Sequence, residues 1–199
     1  MSKYLFALTQ HKQRIHISDA VSGKQGYVCP YCGCEMIARK GAVREHHFAH
    51  SIDSRCDEWY GNKGEWHIQM QNMFPKETQE VILEVNGEKH IADICIEKVN
   101  GQKLVIEFQS SPLSQTEFVR RTQFWRNNNA EVIWVFDVRD KDIREIPKSR
   151  TGIEAAYRWR HAFSTIGDSV PDNATVFFYM NPLINNTSCL NNRPRKEKQ

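Results

Sequence analysis

The chain has 199 residues, 40% hydrophobic and 26% charged, the balance of an ordinary soluble globular protein able to bury one core, or one core plus a small module. A net charge of +3 is too small to argue for a nucleic-acid partner by itself, so any basic surface has to be local. No apolar stretch approaches the length of a membrane span and the N-terminus lacks the layout of a signal peptide, so the expected setting is a reducing cytoplasm with no membrane partner.

Residues 3–28 carry short alternating runs, Tyr4-Leu5-Phe6-Ala7-Leu8 and Arg14-Ile15-His16-Ile17, and read as one or two strands with turns at Gly23 and Gly26. Cys29, Cys32, Cys34 and Cys56 then cluster among histidines, which favours a metal over disulfides in a reducing compartment. The spacing Cys29-Pro30-Tyr31-Cys32 lets two thiolates reach one ion from a knuckle turn, and zinc asks for four soft or borderline ligands in a tetrahedron. Two of His46, His47 and His50 would complete the set, with Cys34 and Cys56 in reserve. His46 with His50 fits helical i, i+4 geometry, and His47 with His50 is also feasible. The competing reading is an incidental cysteine pair beside surface histidines. A closed four-ligand site would be a scaffold, and residues 1–56 need one because they hold few large apolar side chains. Lys24, Arg39, Lys40 and Arg44 are phosphate contacts or solvated loop charges, and the isolated Cys95 and Cys189 read as small buried residues.

Residues 57–64 read as a linker, and Glu65 to Phe74 as a helix stopped by Pro75, with Trp66, Met70 and Met73 on one stripe. Strands follow at Val81–Val85, Lys89–Glu97 and Leu104–Gln109, the first two joined by a turn at Asn86-Gly87. The second connection decides where two acids point. A two-residue turn at Asn100-Gly101 would set Asp93 opposite Phe108 and mix polar with apolar residues on each face. A three-residue loop Val99-Asn100-Gly101, with Gly101 left-handed, sets Asp93 opposite Glu107 and makes the face of Ala92, Ile94, Ile96, Leu104, Ile106 and Phe108 uniformly apolar. Burial should select that second register, which leaves Asp93, Glu107 and Gln109 on the other face as a site for a divalent cation. The plainer reading is a solvated face bearing two ordinary acids.

Ser114-Gln115-Thr116-Glu117 is a capping-box sequence opening a helix through about Arg126, with Phe118, Thr122 and Trp125 inward, and Glu131–Asp137 is a buried strand. From residue 65 the order is helix, three antiparallel strands, helix, strand. Further on, Ile153–Phe163 suggests a helix, Thr175–Met180 a strand, and the tail from Asn191 is polar, basic and expected to be disordered. These divisions suggest an N-terminal module (1–57), a core (58–140) and a C-terminal extension (141–199).

Several separated motifs, in order, resemble the competence protein CoiA-like family of the PD-(D/E)xK nuclease superfamily. They are Glu65-Trp66-His67, Phe74-Pro75, His90-Ile91-Ala92-Asp93-Ile94, Ile106-Glu107-Phe108-Gln109-Ser110-Ser111, Ser114-x-x-Glu117-Phe118-x-x-Arg121 and Val132-Ile133-Trp134. Cys29-Pro30-x-Cys32 and His47-Phe48-Ala49-His50 are similar to the family's N-terminal zinc-finger-like region. The resemblance implies an α+β or α/β chain with a restriction-endonuclease-like αβββαβ core and a small β-rich zinc-binding module. It implies a DNA nuclease in which Asp93 and Glu107 hold Mg²⁺ or Mn²⁺, Glu65 aids the metal or its water, and His67 shuttles a proton or contacts phosphate. Gln109 stands where the superfamily most often has lysine; it lacks a charge, yet can accept from water and donate to a phosphate oxygen. Arg121, and His90 where relatives commonly carry arginine, would contact phosphate. Zinc would sit on Cys29, Cys32, His47 and His50, with His46 or Cys56 as alternative ligands. Trp66, Phe118, Trp125 and Trp134 are expected in the core rather than stacked on bases. The expected setting is DNA uptake and recombination or defence against foreign DNA, with DNA, a second copy of the chain, or recombination and defence proteins as partners. The alternative is a non-catalytic DNA-binding accessory factor.

Overall fold

The computed structural model describes residues 3–23, 26–51, 56–60, 63–111, 113–138, 143–145, 157–159 and 174–180. The chain is mixed α+β, with two five-stranded sheets and, among the described residues, few helices. Lys24, Cys189 and the tail from Asn191 lie outside the described residues, as does most of the stretch read as a helix at 153–163. The described part of that stretch, Tyr157–Trp159, is a strand paired antiparallel with Ile143–Glu145.

The N-terminal sheet is built from β1 (Phe6–Leu8), β2 (Arg14–His16), β3 (Tyr27–Val28), β4 (Glu35–Arg39) and β5 (His47–His50), in the order β2-β1-β3-β4-β5 with antiparallel neighbours. It curls until Tyr4, just before β1, exchanges both backbone hydrogen bonds with Phe48 of β5. Inside the curl Phe6, Tyr27, Met36, Ala38 and Phe48 are buried together. Tyr60, Ile68 and Ile91 belong to the same cluster, so this module closes its core with residues of the second half.

The second half runs α1 (Glu65–Asn72), β6 (Gln79–Val85), β7 (Glu88–Glu97), β8 (Lys103–Gln109), α2 (Gln115–Asn127) and β9 (Ala130–Val138), the order expected from residue 65. β10 (Ile143–Glu145), β11 (Tyr157–Trp159) and β12 (Ala174–Met180) follow, and the sheet order is β12-β9-β8-β7-β6. β6, β7 and β8 are antiparallel neighbours, whereas β9 lies parallel to β8 and β12 parallel to β9. Bringing the chain back parallel needs a crossover, and α2 provides it between β8 and β9. Ser114 starts α2 by accepting the Glu117 N–H at 3.2 Å, while the Glu117 carboxylate turns to Arg121 instead of closing the box.

Both faces of β8 and β9 are covered, which explains their nearly unbroken apolar runs. On one face α2 lays Phe118, Phe124 and Trp125 against Val105, Val132, Trp134 and Phe136. On the other, Trp66 and Met70 of α1 and Phe74 beyond it pack against Ile94, Ile106 and Phe108. The aromatics expected in the core are there. Met73, expected on that stripe, is 74% exposed because α1 ends at Asn72 and Phe74 takes the inward place.

The β7–β8 register is the three-residue one. Glu97 faces Lys103 and Ile94 faces Ile106, Lys98 N–H donates to Gln102 O at 2.7 Å, and Gly101 is left-handed with φ 77°. Asp93 and Glu107 are the next residues beyond the last ladder pair, where the two strands part. The face that carries them is not solvated: Asp93 is 5% and Glu107 8% exposed.

Candidate active site and metal centre

β7 and β8 stop pairing beyond Ile94 and Ile106, and the acids occupy the opening. Phe108 N–H donates to Asp93 Oδ2 at 2.9 Å, and Asp93 N–H reaches Glu107 Oε1 at 3.4 Å. Helix α1 supplies the other wall. His67 Nε2 lies 2.9 Å from Asp93 Oδ1, and Gln71, one turn on, donates to the Asp93 carbonyl at 3.1 Å. A third group comes from the segment before α1: Lys63 Nζ is 3.1 Å from the same Oδ1, 3.3 Å from Glu80 Oε1 and 2.9 Å from Gln71 Oε1. These side chains border a cavity of about 190 Å³ whose lining includes Lys63, His67, Asp93, Glu107, Gln109 and Arg121.

The environment drives the two carboxyls apart. Burial would raise Asp93, but the charges of His67 and Lys63 and the hydrogen bonds from His67 and the Phe108 N–H hold it far below the usual carboxylate range. Burial and the neighbouring Asp93 charge push Glu107 well up, only partly offset by Arg121 and Lys63. A divalent cation satisfies such a pair, because it lets Glu107 ionise beside Asp93, and two hard carboxylate oxygens suit Mg²⁺ or Mn²⁺.

Gln109 lines the cavity and donates through Nε2 to the Ser111 carbonyl at 2.8 Å and its hydroxyl at 3.0 Å. Arg121 also reaches it, held by Glu117 at 2.9 Å and the Trp59 carbonyl at 3.4 Å. Two expected members are elsewhere. Glu65 precedes His67 by two residues, about 200° around an α-helix, so it leaves the opposite side of α1. There it is exposed, accepts from Gln69 at 3.1 Å and lines a separate groove with Lys3, His16, Arg44 and His46. His90 is buried between Asp57 (2.7 Å) and Glu88 (2.9 Å), with its ring stacked on Trp59, and does not line the acid cavity. It serves as a clasp rather than a phosphate contact.

Sequence reasoning missed Lys63, Gln71 and Glu80. The described residues of the segment read as a linker are mostly buried: Asp57 accepts from Trp59 N–H and Ile91 N–H as well as His90, and Trp59, Tyr60 and Lys63 are all buried. Glu80 is left-handed at φ 48° and accepts from Leu5 N–H, Phe6 N–H, the Tyr60 hydroxyl and Lys63, tying the two sheets together beside the cavity. Adjacent Trp59 and Tyr60 were the available signal, since two large aromatics seldom belong to a solvated linker.

The Cys/His donors that converge are Cys29, Cys32, His50 and Cys56, all within 4.8 Å of one another. The knuckle forms as expected, with Cys29 N–H donating to Cys34 O, Gly33 N–H to Cys29 O, and Gly33 left-handed at φ 74°. Cys29 Sγ and Cys56 Sγ are 3.7 Å apart, close to the ~3.8 Å that tetrahedral Zn–S bonds impose. Cys32 Sγ lies 3.3 Å from His50 Nε2. The hydrogen bond from Cys29 draws the Cys56 thiol down to about 6, while that same contact and burial push Cys29 up. Three thiols and an imidazole at these spacings fit a closed, structural zinc ion. His47 is not in the set, which corrects the expected ligands: β5 is a strand, and residues three apart on a strand face opposite ways. His47 Nδ1 instead donates to the Glu45 carbonyl at 2.7 Å, and His46 lines the separate groove.

The family model described as competence protein CoiA, nuclease-like domain, matches residues 66–185, and that described as competence protein CoiA, N-terminal domain, matches residues 9–58. No curated protein and no solved structure matches the chain. Among the described residues no helix is long and apolar enough to cross a membrane.

Proposed function

We propose that this chain, which belongs to the competence protein CoiA family, is a Mg²⁺- or Mn²⁺-dependent deoxyribonuclease with a restriction-endonuclease-like core and a structural zinc module. The observation that carries the reading is geometric: Asp93 and Glu107, both buried, stand together where β7 and β8 part, in a cavity that Gln109 and Arg121 also line. Asp93 and Glu107 would hold the cation, which when bound polarises the scissile phosphate and makes an attacking water more acidic.

The chain's own residues do the rest. His67 and the Phe108 N–H fix the Asp93 carboxylate, so the lone pair left on Oδ2 is aimed before substrate arrives. Gln109, its Nε2 anchored on Ser111, keeps Oε1 to accept a hydrogen bond from the water, which orients the attack without adding charge. Arg121, steadied by Glu117 and the Trp59 carbonyl, lines the same cavity and would contact the phosphate through its guanidinium. Glu65 has no part in this arrangement. The zinc module acts as scaffold: Cys56 leads directly into the Asp57–Tyr60 segment, and Tyr4 packs edge-on to His50 and stacks on Tyr60.

The biological setting that fits is DNA uptake and recombination or defence against foreign DNA. The uncharged Gln109 favours one second reading, a DNA-binding accessory factor that keeps the fold without the chemistry. A panel of single-stranded, duplex and branched DNA, incubated with Mg²⁺, Mn²⁺ or EDTA, separates them. Metal-dependent cleavage lost in Asp93→Asn and Glu107→Gln supports the nuclease; metal-independent binding with no cleavage on any substrate replaces it with the accessory role.

A further inference from the structure

We propose that the Lys63 ammonium is a built-in cation filling the position beside Asp93 that a second divalent ion would otherwise take, so that the acid cavity holds one such ion and not two. The inference deepens the nuclease reading and rests on Asp93 and Glu107 being its metal ligands. Lys63 Nζ sits among three side-chain oxygens: Gln71 Oε1 at 2.9 Å, Asp93 Oδ1 at 3.1 Å and Glu80 Oε1 at 3.3 Å. A fourth face of the ammonium is covered by the Tyr60 ring, with Nζ 3.9 Å from its centroid. An all-oxygen nest with two carboxylates is the donor set of a hard cation, and here an ammonium occupies its centre.

Lone-pair accounting leads to the same place. A carboxylate offers about four acceptor positions, two per oxygen. Asp93 Oδ1 spends both on His67 Nε2 and Lys63 Nζ, and Oδ2 spends one on the Phe108 N–H. The position left over is on Oδ2, the oxygen bonded to the backbone of the residue next to Glu107. A divalent ion is therefore confined to Oδ2 and Glu107, away from the Lys63 nest. Glu65, which the family resemblance implied beside the metal, lies on the far side of α1. Lys63 thus acts through Asp93 as a positioning residue. It also puts an ammonium beside the metal site, which Gln109 cannot supply.

Mn²⁺ binding to the full chain with its zinc, read by the loss of free-ion paramagnetic resonance signal and counted as the difference from D93N, tests this. Wild type should bind one Mn²⁺, Lys63→Arg one, and Lys63→Ala two, because the alanine vacates a nest of oxygens. Two ions on wild type, or one on Lys63→Ala with unchanged circular dichroism, overturns the proposal and leaves the nuclease reading standing. No ion on wild type overturns both. Lys63→Ala removes the cation shared by the buried Glu80 and Asp93 and can fail to fold, so the wild-type chain carries a second arm: anomalous scattering from Mn²⁺-soaked crystals. A peak between Asp93 Oδ2 and Glu107 is the expected result, and a peak coordinated by Asp93 Oδ1 sinks the idea.

Discussion

His47 and His50 leave opposite faces of the same short strand, so only His50 meets the cysteines, its Nε2 3.3 Å from Cys32 Sγ, while His47 bonds the Glu45 carbonyl. Cys56, far along the chain from the knuckle, completes the set. Cys56→Ser should therefore lose most of the bound zinc and His47→Ala should keep it, measured as zinc per chain after dialysis. Structural zinc contributes on the order of 10 kcal/mol of apparent binding energy to small domains. Removal by a chelator should accordingly unfold the N-terminal sheet and loosen the Asp57–Tyr60 segment, seen as faster amide exchange there.

The α1 helix gives a second contrast. Glu65 faces the outer groove and His67 the acids, so the two residues should behave differently although both belong to one motif. Glu65→Gln, an exposed change, should leave cleavage within about twofold of wild type. His67→Ala removes a group that orients Asp93 and should cost about 10- to 100-fold in Mn²⁺ affinity or rate. Asp93→Asn and Glu107→Gln should each lower cleavage by on the order of 10³-fold, with DNA binding retained. A Glu65→Gln loss as large as that of Asp93→Asn would contradict the geometry.

Gly101 tests the register. Its φ of 77° lies in the left-handed region, and a Cβ built there meets nothing within 4 Å, so any cost of Gly101→Ala is backbone strain alone. The expected loss is about 1 kcal/mol in denaturant unfolding. Val99, fully exposed at the same loop, should tolerate alanine with no measurable change. Because a slip of one residue would exchange Asp93 for an apolar neighbour, Gly101→Ala should also lower Mn²⁺ affinity if the loop shifts.

The hairpin was legible because its information is local: alternation on two strands and one glycine determine which residues face each other. Cys29 and Cys32 were legible for the same reason. The errors arise where secondary structure had to be assumed or where contacts are distant in sequence. His47 was expected from the resemblance of His47-Phe48-Ala49-His50 to the family's zinc-finger-like region, and only the strand conformation of that segment turns it away from the cysteines; Glu65 stood with Asp93 only while rotation around α1 was ignored. Lys63, Gln71 and Glu80 carry no motif. Their meeting depends on where Lys63, which lies outside any helix or strand, sits against α1 and β6, and periodicity says nothing about that.

That segment supports the last prediction. Asp57 is wholly buried and accepts three hydrogen bonds, from Trp59 N–H at 3.0 Å, Ile91 N–H at 2.6 Å and His90 Nδ1 at 2.7 Å. Asp57→Ala leaves two buried N–H groups and one imidazole without this partner, and each unmet buried donor costs about 1–3 kcal/mol. The loss should exceed that of Glu88→Ala, whose carboxylate is half exposed and bonds the other nitrogen of the same ring. The damage should also reach the acid cavity, since Trp59 stacks on His90 and its carbonyl holds Arg121. Asp57→Asn keeps the acceptor oxygen and should recover most of the stability. If Arg121 contacts the phosphate, Asp57→Ala at a temperature where the chain is still folded should raise KM for DNA more than it lowers kcat. An unchanged KM would mean that the clasp stabilises the fold without positioning Arg121.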